Sequence, residues 1–149
     1  MKILLAIDDS KFSEAALQMV VAQNRPQSTE VRVVHVVEPI EAFSYTEIPL
    51  AYVPKLEEVR KERLKQAQEL VAQAAKQLQD AGFKAEAVVR EGNIRTEIVD
   101  IAAEWQASLI IVGSHGRRGV ERFLLGSVSE FVARHARCSV EIARMPANS

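Results

Sequence analysis

Five short runs of aliphatic and β-branched residues recur along the chain, each separated from the next by a stretch of helical periodicity. That alternation constrains the fold more than any other feature. The runs are "KILLAID" (Lys2–Asp8), "EVRVVHVVE" (Glu30–Glu38), "FKAEAVVRE" (Phe83–Glu91), "SLIIVG" (Ser108–Gly113) and "CSVEIAR" (Cys138–Arg144). The first is continuously apolar, as expected of a strand covered on both faces. The third and fifth alternate more, which places them nearer the sheet edges. Strand–helix alternation through five strands predicts an α/β domain with a parallel sheet, helices on both faces and right-handed crossovers. A length of 149 residues with 48% hydrophobic content fits one domain, 1–149, around one core.

The intervening helices carry their own start and stop signals. Ser10 or Ser13 can cap the first, whose buried stripe is Phe12, Ala15, Ala16, Met19 and Val20. The second runs from about Lys55 to Ala81, roughly 40 Å long, with Gly82 at its C-terminal stop. Asn93 starts the third, with Ile94, Ile98, Ile101, Ala102 and Trp105 on one face. Ser127 starts the fourth, which ends near Ala136. The connection Pro39–Pro54, with three prolines and three aromatics, is long for its place and reads as a lid, a partner surface or a packed loop.

Composition excludes several function classes. A net charge of -1 gives no global attraction to nucleic acid or to anionic membrane. The Lys and Arg of the long helix are interleaved with Glu rather than gathered into a basic stripe. The single cysteine, Cys138, excludes an internal disulfide framework and a multi-cysteine zinc site, and it reads as a small buried residue. The apolar run Ile3 to Ile7 is too short for a signal-peptide core, and no stretch approaches the ~20 apolar residues of a membrane span. The expectation is a cytoplasmic protein.

In an open parallel sheet, ligands bind beyond the carboxyl ends of strands, where the winding direction reverses. Two segments reach such an end with unusual chemistry: Ala6–Ser10 after the first strand, and "VGSHGRRGVERFLLGSVSE" (Val112–Glu130) after the fourth. The second holds four of the six glycines. Gly113 and Gly116 permit close backbone approach and positive φ, which lets amides turn toward an anion. Ser127–Glu130 matches a capping box and marks a helix N-terminus, where free amides and the dipole favour phosphate. Gly126 clears the approach to it. Arg117, Arg118 and Arg122 add local positive charge, although a solvated loop face is an equal reading of them. Neither a Walker A loop nor a dinucleotide G-x-G-x-x-G is present. Asp8 closes a buried strand, where a carboxylate suits ribose hydroxyls, a phosphate-borne metal ion or the cap of the first helix. His35, mid-strand, reads as structural, and His135 as a helix C-terminal histidine.

Gly113-x2-Gly116-x9-Gly126-Ser127 matches the G-x2-G-x9-G-S/T motif of the ATP-binding branch of the universal stress proteins, and nearly the whole chain resembles that family. "ILLAIDDS", "VVHVVE", "LIIVGSHGRRG" and "LLGSVSEFVARHA" all take part. The resemblance implies a Rossmann-like (adenine nucleotide alpha hydrolase-like) fold with strand order 3-2-1-4-5, so that strands one and four are neighbours. It also implies ATP over their carboxyl ends, with Mg2+ or Mn2+ accompanying it through the phosphates. Ala6, Ile7 and Asp8 would meet adenine and ribose, and Val36 the adenine. Val112, Gly113, His115 and Gly116 would flank ribose and phosphates. Gly126, Ser127, Val128 and Ser129 would hold phosphates through backbone and hydroxyls. A homodimer through the last strand, Val140–Ala143, is implied as well. Family members often read Cys-Pro-Val and then apolar residues there, whereas this chain reads Cys138-Ser-Val-Glu141-Ile-Ala143. Glu141 either weakens that edge contact or specifies it.

The resulting expectation is a nucleotide-dependent stress-response or signalling module rather than an efficient enzyme. His115 and Asp8 are the only nearby candidates to position an attacking water, and both have binding roles. Slow hydrolysis, or self-phosphorylation on Ser127 or Ser129, stays open. The alternative is a dimeric, chaperone-like interaction protein that binds AMP or no nucleotide.

Overall fold

The computed structural model describes residues 1–40, 49–116 and 124–145. In chain order they form β1 (Lys2–Ala6), α1 (Lys11–Gln23), β2 (Glu30–Val37), α2 (Val53–Asp80), β3 (Lys84–Glu91), α3 (Ile94–Trp105), β4 (Leu109–Gly113), α4 (Ser127–His135) and β5 (Ser139–Ala143). The five strands make one parallel sheet in the order β3-β2-β1-β4-β5. β1 pairs on both sides, with β2 and with β4. The winding therefore reverses at β1, and the two strands leading into the unusual segments end side by side. The more alternating third and fifth runs do occupy the edges.

Side-chain alternation along the strands divides the core in two. Ile3, Leu5 and Ile7 of the first strand segment pack with Val31, Val33, Leu109 and Ile111 under α1 and α2. Leu4 and Ala6 pack with Val34, Val36, Ile110 and Val112 under α3 and α4. No helix of the described residues is long and apolar enough to cross a membrane.

The helix ends show where local chemistry governs. Ser10, not Ser13, caps α1: its Oγ accepts the Ser13 amide at 3.3 Å. α2 begins at Val53, two residues ahead of the expected start, because Pro54 with its fixed φ is accommodated in the first turn. It ends in a Schellman motif: Gly82 has φ +95°, its N–H donates to Gln79 O, and Phe83 N–H donates to Leu78 O. Leu78 and Phe83 share the same core cluster, so cap and core reinforce each other. At the same, amino end of the strands the single tryptophan, Trp105, has two cations near its ring, with Arg32 Cζ 4.5 Å and Lys2 Nζ 5.4 Å from its centre.

One expected device is absent. Ser127 is the first helical residue of α4 rather than its cap, so no Ser127–Glu130 capping box forms. Gly126 takes the capping position without a side-chain hydrogen bond. The Glu130 amide reaches Gly126 O at 3.0 Å instead.

Candidate functional site

Ala6 and Val112 face each other across the β1–β4 pair. Both are buried on the α3/α4 side together with Val36, so these three apolar residues share one face of the sheet. The Ile7 side chain belongs to the opposite core. Its peptide is held by β2: Ile7 N–H donates to Val34 O at 2.9 Å, and Ile7 O lies 2.6 Å from His35 Nδ1. Since a carbonyl only accepts, Nδ1 carries the proton, and His35 is a sheet-bracing residue as its mid-strand position suggested.

Just beyond β1, Asp8 is half-buried and fastened to the start of α1. Its Oδ1 accepts from the Ser10 amide (2.9 Å) and the Ser13 hydroxyl (2.8 Å), and its own N–H donates to Ser13 Oγ (2.7 Å). Ser13, 8% exposed, is thus both donor and acceptor at the strand end. Its place in the sequence marks it only as a cap candidate. A Cβ on Gly116 would lie 3.2 Å from Asp8 Oδ2, which brings the two unusual segments into contact.

The glycines answer to packing rather than to backbone sign. A Cβ on Gly113 would lie 2.7 Å from Phe12 Cβ and 2.9 Å from the Phe12 carbonyl carbon and oxygen. Gly113 therefore lets α1 press against β4. A Cβ on Gly126 would lie 3.1 Å from His115 Cα and 3.2 Å from Ser114 O. None of Gly113, Gly116 and Gly126 has positive φ; among the described glycines that conformation belongs to Gly82 and Gly92. The expectation of positive φ at Gly113 and Gly116 is corrected: close approach alone explains them.

Ser114, which sequence reasoning passed over, ties the loop together. Its N–H donates to Ala143 O of β5 (2.8 Å), and its carbonyl accepts from Gly126 N–H (2.7 Å) and Ser129 Oγ (2.9 Å). Ser129 Oγ also reaches Gly126 O at 3.0 Å. Ser114 and Ser129 are 3% and 2% exposed. The Ser129 hydroxyl hydrogen is therefore spent inside the fold, leaving its backbone amide at the helix start. His115 stands beside them, with Nδ1 3.1 Å from Ser114 Oγ and its ring 5.2 Å from that of Phe12.

These contacts set the N-terminus of α4 against Gly116. The amides of Ser127, Val128 and Ser129 have no acceptor within the helix, and among the described residues no side chain caps them. Ser127 is exposed, whereas Val128 packs partly against the α3/α4 core. Ala6, Asp8, Val112, Gly113, His115, Gly116, Gly126 and the start of α4 thus come together at one rim of the sheet, with Val36 on the same face one strand over. Arg117, Arg118, Gly119 and Arg122 lie outside the described residues, as do residues 41–48 of the Pro39–Pro54 connection. Among the described residues, no group of three or more His, Cys, Asp or Glu side chains is arranged to hold a metal ion. Burial pushes the Cys138 thiol above its ordinary value, which disfavours the reactive thiolate.

A family model described as the universal stress protein family matches residues 1–144. Universal stress protein YxiE of Bacillus subtilis is 33% identical over 145 residues, covering 96% of this chain and 98% of the relative. MJ0577 of Methanocaldococcus jannaschii is 31% identical over 152 residues, covering 96% and 94%. Its solved structure superimposes with a TM-score of 0.85 at 29% identity, covering 98% of this chain and 96% of that one. A universal stress protein family protein from Arabidopsis thaliana, solved with AMP bound, superimposes with a TM-score of 0.67, covering 100% and 94%. At 19% identity, that likeness speaks for the fold alone.

Proposed function

Since this chain belongs to the universal stress protein family, we propose that it binds ATP across the carboxyl ends of β1 and β4 and serves as a nucleotide-dependent stress-response module. The observation that carries this reading is the start of α4, open at its amides among the described residues and close to Gly116, with Asp8 Oδ2 3.2 Å from where a Cβ on that glycine would stand. The residues suit the group. Uncapped amides at the positive end of a helix dipole fit phosphates. A carboxylate at the neighbouring strand end fits ribose hydroxyls. The face formed by Ala6, Val36 and Val112 fits the apolar part of a base. Fold-level support comes from the relative solved with AMP.

In this assignment Ser127, Val128 and Ser129 offer amides to the phosphates, and Ser127 adds an exposed hydroxyl. His115 and Gly116 line the path between ribose and phosphates. Asp8 keeps one oxygen on α1 and turns the other toward Gly116. Mg2+ or Mn2+ bound with the nucleotide would neutralise phosphate charge. We do not assign efficient hydrolysis. His115 Nδ1 is engaged with Ser114 Oγ, and the Ser129 hydroxyl hydrogen is spent on two carbonyls. The reading includes a homodimer through β5, at Val140–Ala143, and a cytoplasmic location consistent with the single cysteine.

Calorimetric titration with ATP, AMP and cyclic AMP, with and without magnesium, tests the assignment. ATP is expected to bind, more tightly with magnesium. AMP binding more tightly than ATP would shift the reading to a monophosphate sensor, and heat from none of the three would end it.

A further inference from the structure

Ser13 makes hydrogen bonds that a helix start does not require. It is the third residue of α1, and its amide is already capped by Ser10 Oγ at 3.3 Å. Its hydroxyl reaches back past that cap to Asp8. There it accepts the Asp8 N–H at 2.7 Å and directs its single hydrogen to Asp8 Oδ1 at 2.8 Å. The same Oδ1 accepts the Ser10 N–H at 2.9 Å. These bonds close a ring through Asp8, Ser10 and Ser13, with Ser13 buried at its inner corner.

The ring fixes the carboxylate in direction as well as in place. Two donors converge on Oδ1, and turning the carboxylate would break both bonds. Oδ2 is thereby directed toward Gly116, where a Cβ would stand 3.2 Å from it. Because residue 116 is glycine, no side chain fills the space in front of that oxygen. A pre-organised acceptor separates ligands that carry the matching hydroxyl from ligands that lack it. Removing the Ser13 hydroxyl takes a donor from Oδ1 and an acceptor from the Asp8 amide, and the carboxylate gains freedom to turn.

We propose that Ser13 is a positioning residue that makes the site selective for a ribonucleotide, by fixing Asp8 as the acceptor that detects the sugar hydroxyls. This rests on the ATP site proposed above and adds the class of sugar it takes and the residue that sets that choice. Ser13 does not touch the ligand. Its contribution is confined to ligands that hydrogen-bond to Asp8, which separates it from a serine that only supports the fold.

Calorimetry on the full chain compares ATP with 2′,3′-dideoxy-ATP, which lacks both sugar hydroxyls. The unmodified protein is expected to bind ATP at least about tenfold more tightly, as hydrogen bonds to a charged acceptor imply. Ser13→Ala is expected to cut that ratio to about threefold or less, while dideoxy-ATP affinity stays within about twofold. Ser13→Thr keeps the hydroxyl and should keep the ratio. Its added methyl has room in the cleft of about 350 Å³ that Ser13 lines with Leu17, Leu70 and Ala74. Should Ser13→Ala fail to fold, Ser13→Cys, with a weak donor in place of the hydroxyl, carries the same expectation. An unchanged ratio in the alanine variant, whether or not both nucleotides weaken, would make Ser13 structural only and overturn the proposal. A threonine variant as unselective as the alanine one would overturn it as well. Equal binding of the two nucleotides by the unmodified protein would overturn the sugar selectivity and leave the ATP site standing. Heat from neither nucleotide would remove the ATP site and the proposal with it.

Discussion

Ser127→Asp separates folding from binding at the start of α4. Ser127 is exposed, sits at the first helical position, and its side chain caps nothing. A carboxylate there meets the positive end of the helix dipole and should stabilise the protein by about 0.3–1 kcal/mol, or roughly 1–4 °C in Tm for a chain of this size. Toward a bound phosphate the same charge is repulsive. At about 4 Å the interaction is ~1 kcal/mol in water-like surroundings and ~4 kcal/mol at an effective dielectric constant of 20. This exposed position belongs near the lower end, so ATP affinity should fall about five- to thirtyfold. The loss should shrink as salt is raised. Thermal unfolding and calorimetry on one sample read both quantities, with Ser127→Ala as the uncharged control. A higher Tm with unchanged ATP affinity would refute the phosphate placement. A control that weakens ATP as much as Ser127→Asp would show that the hydroxyl, not the helix end, does the holding.

Two further outcomes follow from packing and charge. Gly113→Ala should cost about 1–3 kcal/mol, because its Cβ would stand 2.7 Å from Phe12 Cβ and close to the Phe12 backbone; denaturant unfolding checks this, and a neutral result would mean that α1 can back away from β4. Arg60 makes a bidentate pair with Glu91 (3.1 and 2.7 Å) and holds its carboxyl below the ordinary carboxylate range. Because the folded value is the lower one, the stabilisation is present above the unfolded value and fades as the pH falls through the folded one. An NMR titration should show Glu91 returning toward its ordinary value in Arg60→Ala, and an unmoved titration would mean that the pair does not persist in solution.

The sheet was legible from the alternation of apolar runs and helical periods, and the adjacency of β1 and β4 came through the family resemblance. The internal logic of the loop was harder to see. Spacing marks where small residues lie but does not say what each makes room for. Gly113 yields to Phe12 and Gly126 to the Ser114–His115 backbone, and those approaches exist only once α1 and α4 are docked. The Ser-x-x-Glu pattern misled by one residue for a related reason. Ser114 O holds the Gly126 amide and draws Gly126 into the capping position, so a tertiary contact overrides the local motif. Ser114 carried no periodic or motif signal of its own, and Ser13 only that of a helix cap. Their hydroxyl and peptide groups matter because of what folding brings to them.

The cation-flanked Trp105 fixes what light can report in this protein. Lys2, whose ammonium lies over that ring, starts β1, and Asp8 stands six residues further along the chain, about 20 Å away at strand spacing. As the chain's single tryptophan, it provides an emission governed by Lys2, Arg32 and the end of α3. Intrinsic fluorescence should follow global unfolding while staying nearly blind to nucleotide at the opposite rim. The optical signal therefore tracks the integrity of the scaffold, and occupancy of the site has to be read by heat or by a labelled ligand.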